Sequence, residues 1–217
     1  TTQGFRDSIE MGSESRFEQY DINMEKPLPL VPRRRRFAVA ERLNAAGEVI
    51  LALDEAAVAA LIAPLKALEV ESVAIGFLHS YVNPAHEQRA YEILSAGLPD
   101  VTFTLSSEVA PEMREYERFS TACANAYVQP IMAQYLRRLE AGLKDQGFTC
   151  PLFVMLSGGG VADIETGIRF PIRLVESGPV GGAIFSSHAA AECGLSQVLS
   201  FDMGGTTAKI CVINDSK

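Results

Sequence analysis

Residues 201–207 read Phe-Asp-Met-Gly-Gly-Thr-Thr and stand between two apolar runs, Val198-Leu199-Ser200-Phe201 and Ile210-Cys211-Val212-Ile213. Two strand-like runs joined by a glycine turn predict a β-hairpin. Asp202, at the end of the first strand, offers a hard oxygen ligand suited to Mg²⁺, directly or through water. The backbone N–H groups of Gly204 and Gly205 can approach phosphate oxygens closely, and Thr206 and Thr207 add hydroxyl donors. The stretch has no GxxxxGK[ST] loop and opens no helix, so it is neither a Walker loop nor a dinucleotide fingerprint. A tight hairpin whose glycines only satisfy the turn would read the same way.

Two further glycine elements lie within 50 residues upstream. Ser157-Gly158-Gly159-Gly160 follows residues 152–156 (LFVML), which read as a buried strand. Ser177-Gly178-Pro179-Val180-Gly181-Gly182 opens a helix expected from about Val180 to Cys193. Helix N-termini favour anions, so this second element suits a phosphate or carboxylate, although glycines at a capped helix start also permit close packing. Three such elements together favour a nucleotide site.

Upstream, strands alternate with helices. Residues 37–40 (FAVA) and 48–53 (EVILAL) flank a turn at Ala46-Gly47, and Asp54 reads as the cap of a helix carrying Val58, Leu61, Ile62, Leu65 and Leu68, with a kink or restart at Pro64. Residues 73–78 (VAIGFL) read as a strand covered on both faces. Asn83-Pro84 starts a helix with Ala90, Tyr91 and Leu94 inward. Residues 101–105 are a further strand. A long helix follows from about Glu112 to Lys144, bent at Pro130, with a stripe at Met113, Tyr116, Ser120, Cys123, Tyr127, Ile131, Tyr135 and Leu139. This alternation predicts an α/β sheet flanked by helices, with ligands beyond the carboxyl ends of its strands.

Composition sets limits on function. Nineteen Lys and Arg against 27 Asp and Glu give a net charge of −8, which offers no general attraction to nucleic acid or an anionic membrane. The apolar runs are far shorter than the roughly 20 residues of a membrane span, and no leader pattern is present, so a cytoplasmic protein is expected. Cys123, Cys150, Cys193 and Cys211 are widely spaced and form no CxxC pair, and they read as buried, reduced thiols. Proline at 27, 29 and 32 makes the first 36 residues extended or loop-like. The following run Arg33–Arg36 fits either a polyphosphate grip or an acid-paired edge and is left unassigned.

The charged segment before the long helix holds Glu108, Glu112, Arg114, Glu115, Glu117 and Arg118. Its acids suit a base or metal ligand and its arginines a carboxylate or phosphoryl group, while helix-start acids with local ion pairs explain it equally. His79 and His86, seven apart with no third histidine, are weak metal ligands; His79 reads as a satisfied polar residue at a strand end and His188 as a polar-face residue.

The run SSEVAPEMREYERFSTACANAYVQP (106–130), with GFLHSYVNPAHE (76–87), SGPVGG (177–182) and FDMGGTTAK (201–209), resembles the hydantoinase A/5-oxoprolinase family over nearly the whole chain. The resemblance implies an RNase H-like lobe of an actin-like ATPase, with a mixed sheet flanked by helices plus an α/β insertion. It divides the chain into an extended segment (1–36), an α/β part of the family's N-terminal region (37–150) and the start of the hydantoinase A domain with its phosphate hairpin (151–217). The other phosphate hairpin of the family is not in this sequence, and a piece of a longer enzyme, inactive alone, is expected. The implied activity is ATP-dependent opening of hydantoin, N-methylhydantoin or 5-oxoproline rings by phosphoryl activation of the carbonyl.

The implied cofactors are ATP and Mg²⁺, with Asp202 as metal ligand. Phosphate contacts are expected from Asp202, Gly204, Gly205, Thr206, Thr207, Lys209, Ser177, Gly178, Gly181, Gly182, Ser157, Gly158 and Gly159. Catalytic candidates are Glu108, Glu112, Arg114, Glu117 and Arg118. The implied partners are a small cyclic amide and a hydantoinase B-type subunit or domain within an oligomer, with no nucleic acid and no membrane. Many family members have an acid where this chain has Lys209, which weakens the substrate assignment most. Two other readings stand beside it: the ATP-binding subunit of an acetone carboxylase-type enzyme, and a non-catalytic nucleotide-binding assembly module.

Overall fold

The computed structural model describes residues 1–11, 20–23, 25, 28–205 and 207–215. Pro27 and Thr206 lie outside the described residues. The chain divides into two units, Thr1–Ile131 and Met132–Lys217. No described helix is long and apolar enough to cross a membrane. The class is mixed α/β, as the alternation predicts, but among the described residues the strands pair as four two-stranded sheets rather than one.

In the first unit a one-turn helix α1 (Ser8–Met11) precedes the antiparallel hairpin β1 (Arg42–Leu43) and β2 (Val49–Leu51). Residues 37–40, expected as a hairpin strand, make only a parallel bridge between Thr2 and Val39. The Asn44 carboxamide oxygen accepts the Ala46 and Glu48 N–H groups and closes the turn around Ala46-Gly47; β2 lies within the expected 48–53, whereas the strand paired with it is 42–43 rather than 37–40. Asp54 caps α2 (Glu55–Ala60) by accepting the Ala57 N–H at 2.9 Å, and the chain restarts as α3 (Ile62–Ala67) with Pro64 in its first turn.

Next come β3 (Ser72–Ile75), α4 (Ala85–Gly97) and β4 (Thr102–Leu105), a βαβ unit whose strands pair in parallel from Ser72 with Thr102 to Ile75 with Leu105. The Asn83 oxygen accepts the Ala85 N–H at 3.1 Å, as a capping side chain does, and the helix begins at Ala85 with Pro84 as its flanking residue. α4 turns His86, Glu87, Ala90 and Leu94 inward, while Tyr91, expected inside, is 41% exposed and meets Phe103 edge-on. Val39, Val58, Leu65, Ile75, Phe77, Ala90, Leu94 and Leu98 make the core of this unit.

α5 (Ser106–Val109) leads to α6 (Glu115–Asp145), which contains Pro130. The buried face of α6 is Arg118, Phe119, Ala122, Asn125, Ala126, Gln129 and Leu136. The expected aromatic stripe is the other face: Tyr127, Ile131 and Tyr135 are more than half exposed, and Met113 precedes the helix. Small and polar residues lie inside because Phe119 and the Asn125–Thr104–Gln129 hydrogen bonds fill that space. The Arg33–Arg36 segment begins as a 3₁₀ turn. Arg33 forks onto Asp7, and buried Arg36 reaches Asp7, Glu10 and the Val31 carbonyl, so both residues are acid-paired.

The second unit contains the hairpin β5 (Phe153–Met155) and β6 (Val161–Asp163), then α7 (Ile164–Arg169), a 3₁₀ turn, α8 (Ser177–Glu192) and the hairpin β7 (Gln197–Met203) and β8 (Ala208–Asn214). Leu136, Ile164 and Ile168 form its core with Leu152, Val154 and Leu174. β5 is not the buried strand expected, since it is a hairpin strand with Phe153 59% exposed. α8 begins three residues earlier than expected and takes SGPVGG into its first two turns. All four cysteines are free, but Cys150, Cys193 and Cys211 are exposed rather than buried.

Candidate functional site

In the second unit, β7 and β8 run antiparallel from Gln197 opposite Asn214 to Met203 opposite Ala208, and the Gly204 N–H donates to the Thr207 carbonyl at 3.0 Å. Asp202 stands directly across from Lys209 in this register and is exposed. A side chain at Gly205 would meet nothing within 4 Å, so ligand can approach its backbone, whereas the Gly204 N–H is already engaged in the turn.

Lys209 pairs with Glu176, the residue that caps α8 with a left-handed φ of 64°. The glycine hairpin is thereby joined to the start of α8, where Ser177, Gly178, Gly181 and Gly182 lie. Residues 157–160 close the β5–β6 hairpin. There Gly159 has φ +85°, and a Cβ on it would come within 3.1 Å of Ile184 and 3.7 Å of Val180, both on α8. Gly181 in turn faces Met155 of β5. The 157–160 turn and β5 therefore pack on the first turns of α8, and the Lys209–Glu176 pair ties the glycine hairpin to the start of the same helix, whose leading N–H groups have no intrahelical acceptor. A hairpin with an acid beside it and a helix N-terminus is suited to a phosphate chain and a hard cation.

The first unit carries the charged segment beyond the carboxyl ends of β3 and β4. Glu112 and Arg114 are exposed, Glu108 and Glu117 half-buried, and Arg118 fully buried. Arg118 Nη1 donates to the Glu112 and Met113 carbonyls, Nη2 to the Phe77 carbonyl at 3.1 Å and Nε to Ser106 Oγ at 3.3 Å. Its guanidinium stacks 5.3 Å from the Tyr81 ring and 5.0 Å from that of Phe119. Burial holds the guanidinium pKa below its ordinary value, with Glu87 opposing the shift. With its donors spent on backbone and Ser106, Arg118 anchors the segment rather than presenting a charge from it.

His86 Nδ1 lies 2.7 Å from the buried Glu41 carboxylate, which Thr2 Oγ1 also reaches. His79 is not the satisfied strand-end residue expected: it has φ 58° and its buried Nδ1 has no partner. No group of three His, Cys, Asp or Glu is gathered among the described residues. Sequence reasoning missed Glu87, which is fully buried and accepts four hydrogen bonds. The signal was present: Glu87 is three residues before Ala90 and seven before Leu94, an acid on the apolar stripe of its helix.

Residues 1–98 match the hydantoinase/oxoprolinase N-terminal region and residues 118–217 the hydantoinase/oxoprolinase domain. The chain belongs to the hydantoinase/oxoprolinase family. Over its whole length it is 42% identical to an uncharacterized protein of Methanocaldococcus jannaschii, of which it covers 32%. It is 36% identical to the caprolactamase α subunit of Pseudomonas jessenii, covering 96% of this chain and 30% of that subunit. The crystal structure of that ATP-dependent caprolactamase superposes with a TM-score of 0.85 over 97% of this chain and 31% of the other. A nucleotide-free acetone carboxylase structure, 24% identical, shares the fold with a TM-score of 0.83, covering 100% of this chain and 32% of its own. The chain thus spans about a third of the length of the relatives it matches.

Proposed function

We propose that this chain is part of an ATP-dependent enzyme that opens a cyclic amide of lactam, hydantoin or 5-oxoproline type, the activity residing in the full-length protein. The observation that carries the reading is that the 157–160 turn packs on the first turns of α8 while Lys209, opposite Asp202 in the glycine hairpin, pairs with Glu176 at the start of that helix. We read the two units as belonging to an RNase H-like lobe of an actin-like ATPase, with residues 151–217 starting the domain that holds the phosphates.

A cyclic amide carbonyl is resonance-stabilised, and bound ATP would supply a γ-phosphoryl group to its oxygen, opening the carbon to water; the ring then opens by cleavage of the C–N bond with a proton delivered to the nitrogen, two waters being consumed overall to give the amino acid, ADP and phosphate. Such transfer needs alignment and charge neutralisation more than a strong nucleophile. In this chain the open backbone at Gly205 and the α8 N-terminus receive phosphate oxygens. Ser177 contributes a hydroxyl, and Gly178, Gly181 and Gly182 keep that helix start free of bulk. Asp202 supplies the oxygen ligand for Mg²⁺, whose charge would lower the repulsion between phosphates. Lys209, neutralised by Glu176, is within reach of the same turn. Glu108, Glu112, Arg114 and Glu117 are the groups we assign to the amide substrate, as proton carriers and as a carboxylate grip. A hydantoinase B-type subunit is the proposed partner.

The test is ADP formation by the full-length protein with its partner subunit on caprolactam, hydantoins and 5-oxoproline. Turnover is expected to depend on one of these amides and to collapse in Asp202→Ala. Amide-stimulated ADP formation that survives in Asp202→Ala removes the role given to that residue, and stimulation by a ketone with bicarbonate instead moves the chain to the carboxylases.

A further inference from the structure

Beyond the ends of β3 and β4 lies a buried pair of charges that the proposed chemistry does not use directly. Glu87, in the first turn of α4, has Oε1 accepting from the Phe77 N–H at 2.9 Å and from Ser106 Oγ at 2.6 Å. Its Oε2 accepts from the Ser107 N–H at 2.9 Å and from Ser107 Oγ at 2.7 Å. Arg118 takes the other end of the same groups: the Phe77 carbonyl, Ser106 Oγ, and the carbonyls of Glu112 and Met113. Ser106 Oγ donates to Glu87, accepts from Arg118 and sits 3.3 Å from Ser80 Oγ, so it joins the two charges without their touching.

Both ions are fully buried, which is costly unless every donor and acceptor is matched. Apolar side chains of the same volume would fill this space with less penalty. What they would lack is direction. The two side chains hold the N–H and C=O of Phe77 beyond β3, two residues beyond β4 and the Glu112 and Met113 carbonyls just before α6; Glu108 lies between these points, Glu112 is one of them and Arg114 follows directly.

We propose that Glu87 and Arg118 are positioning residues, a buried clamp that sets the 106–114 segment in its working geometry through Ser106, Ser107 and the 112–113 carbonyls. The proposal rests on the reading that this segment meets the amide substrate. A displacement of about 1 Å at a reacting group lowers turnover by about 10²-fold, so a clamp of this kind acts on kcat without touching substrate.

The experiment uses the full-length protein with three variants: Glu87→Gln, Arg118→Lys and the milder Ser107→Ala, which removes a single hydroxyl from the clamp and keeps the protein folded. Hydrogen exchange is followed in peptides covering 106–114 and in peptides covering β7 and β8, and kcat and KM are measured for ATP and for caprolactam, hydantoin and 5-oxoproline. Faster exchange confined to 106–114, with kcat falling up to about 10²-fold, ATP KM unchanged and effects graded from Ser107→Ala to Arg118→Lys, supports the clamp. Unchanged exchange in 106–114 in all three variants overturns it. So does a kcat in Ser107→Ala and Glu87→Gln equal to wild type despite altered exchange, because the segment would then be loosened without consequence. A wild-type protein that turns over none of the three amides refutes the functional reading instead, and the exchange pattern still decides whether the clamp exists.

Discussion

The contact that brings α6 onto the end of β3 can be tested by adding one methyl group. A Cβ on Gly76 would come within 2.6 Å and 2.7 Å of two carbons of the Phe119 ring. Phe119 is 5% exposed and stacks against Arg118, so admitting the methyl group requires the ring to shift and to disturb that stacking. Gly76 has no left-handed φ, so Gly76→Ala tests packing and not backbone strain. Overpacking of this kind costs about 1–3 kcal/mol, which for a chain of this length lowers Tm by about 3–10 °C.

Gly97 is the control. A Cβ there meets Ile62 Cδ1 at 2.5 Å and Ile62 Cγ1 and Cγ2 at 3.0 Å, but all three belong to one half-buried aliphatic side chain at the end of a helix. Gly97→Ala is therefore expected to cost less than Gly76→Ala. Urea unfolding followed by circular dichroism on both variants, and on Phe119→Leu with and without Gly76→Ala, gives the coupling between the two sites. The smaller side chain should recover part of the loss. If Gly76→Ala unfolds at the wild-type midpoint, or if Phe119→Leu does nothing to its cost, α6 does not pack on β3 in the way described and the placement of Arg118 falls with it.

Other expectations follow from burial and capping. Ellman's reagent should find three fast thiols, Cys150, Cys193 and Cys211, and one slow one, because Cys123 is half-buried and burial pushes its pKa up to about 11. Four fast thiols would contradict the packing of α6. The Thr166 N–H and side chain hold the Asp163 carboxyl below its ordinary value of 3.8, and Arg33 does the same first among the causes at Asp7. Carboxylates with lowered folded pKa values stabilise above 3.8 and lose that contribution as pH falls through the lower folded value. Acid titration of Asp163→Asn should therefore flatten the fall in Tm below that pH, and an unchanged slope would remove the cap from the account. Lys209→Ala breaks an ion pair whose partners are 37% and 65% exposed, so the unfolding free energy should change by less than about 1 kcal/mol, while KM for ATP rises if Lys209 serves phosphate.

Much of the fold follows from short-range signals. The Asp54 cap, the restart around Pro64, the strands at 72–75 and 102–105 and the glycine hairpin of β7 and β8 are each written in a few adjacent residues, and each is present. The reading fails where long-range packing decides. On α6 the large apolar residues form a clean helical stripe, yet Phe119, Ala122 and Ala126 turn inward because Asn125 and Gln129 have partners at Thr104. A periodicity count takes the bulkiest side chains as the core face. It has no means of knowing that a polar group on β4 makes the other face cheaper to bury.

The same distinction divides the candidate site. Six charged residues between Glu108 and Arg118 are equivalent in sequence, since nothing local separates a charge that is spent from one that is offered. Burial separates them: Arg118 spends its donors on three backbone carbonyls and a serine, while Glu112 and Arg114 keep their charges at the surface of the loop it holds. Glu87 lies outside that segment and is invisible to any search among its charges. Its four donors come from Phe77 just beyond β3, ten residues away, and from Ser106 and Ser107 at the start of α5, about twenty away, and such a site exists only after β3 and β4 have paired. The glycine elements are the opposite case. Turns and helix starts are local features, and sequence is sufficient to place them; their convergence on α8 needs only that the two hairpins of the second unit pack on the same helix.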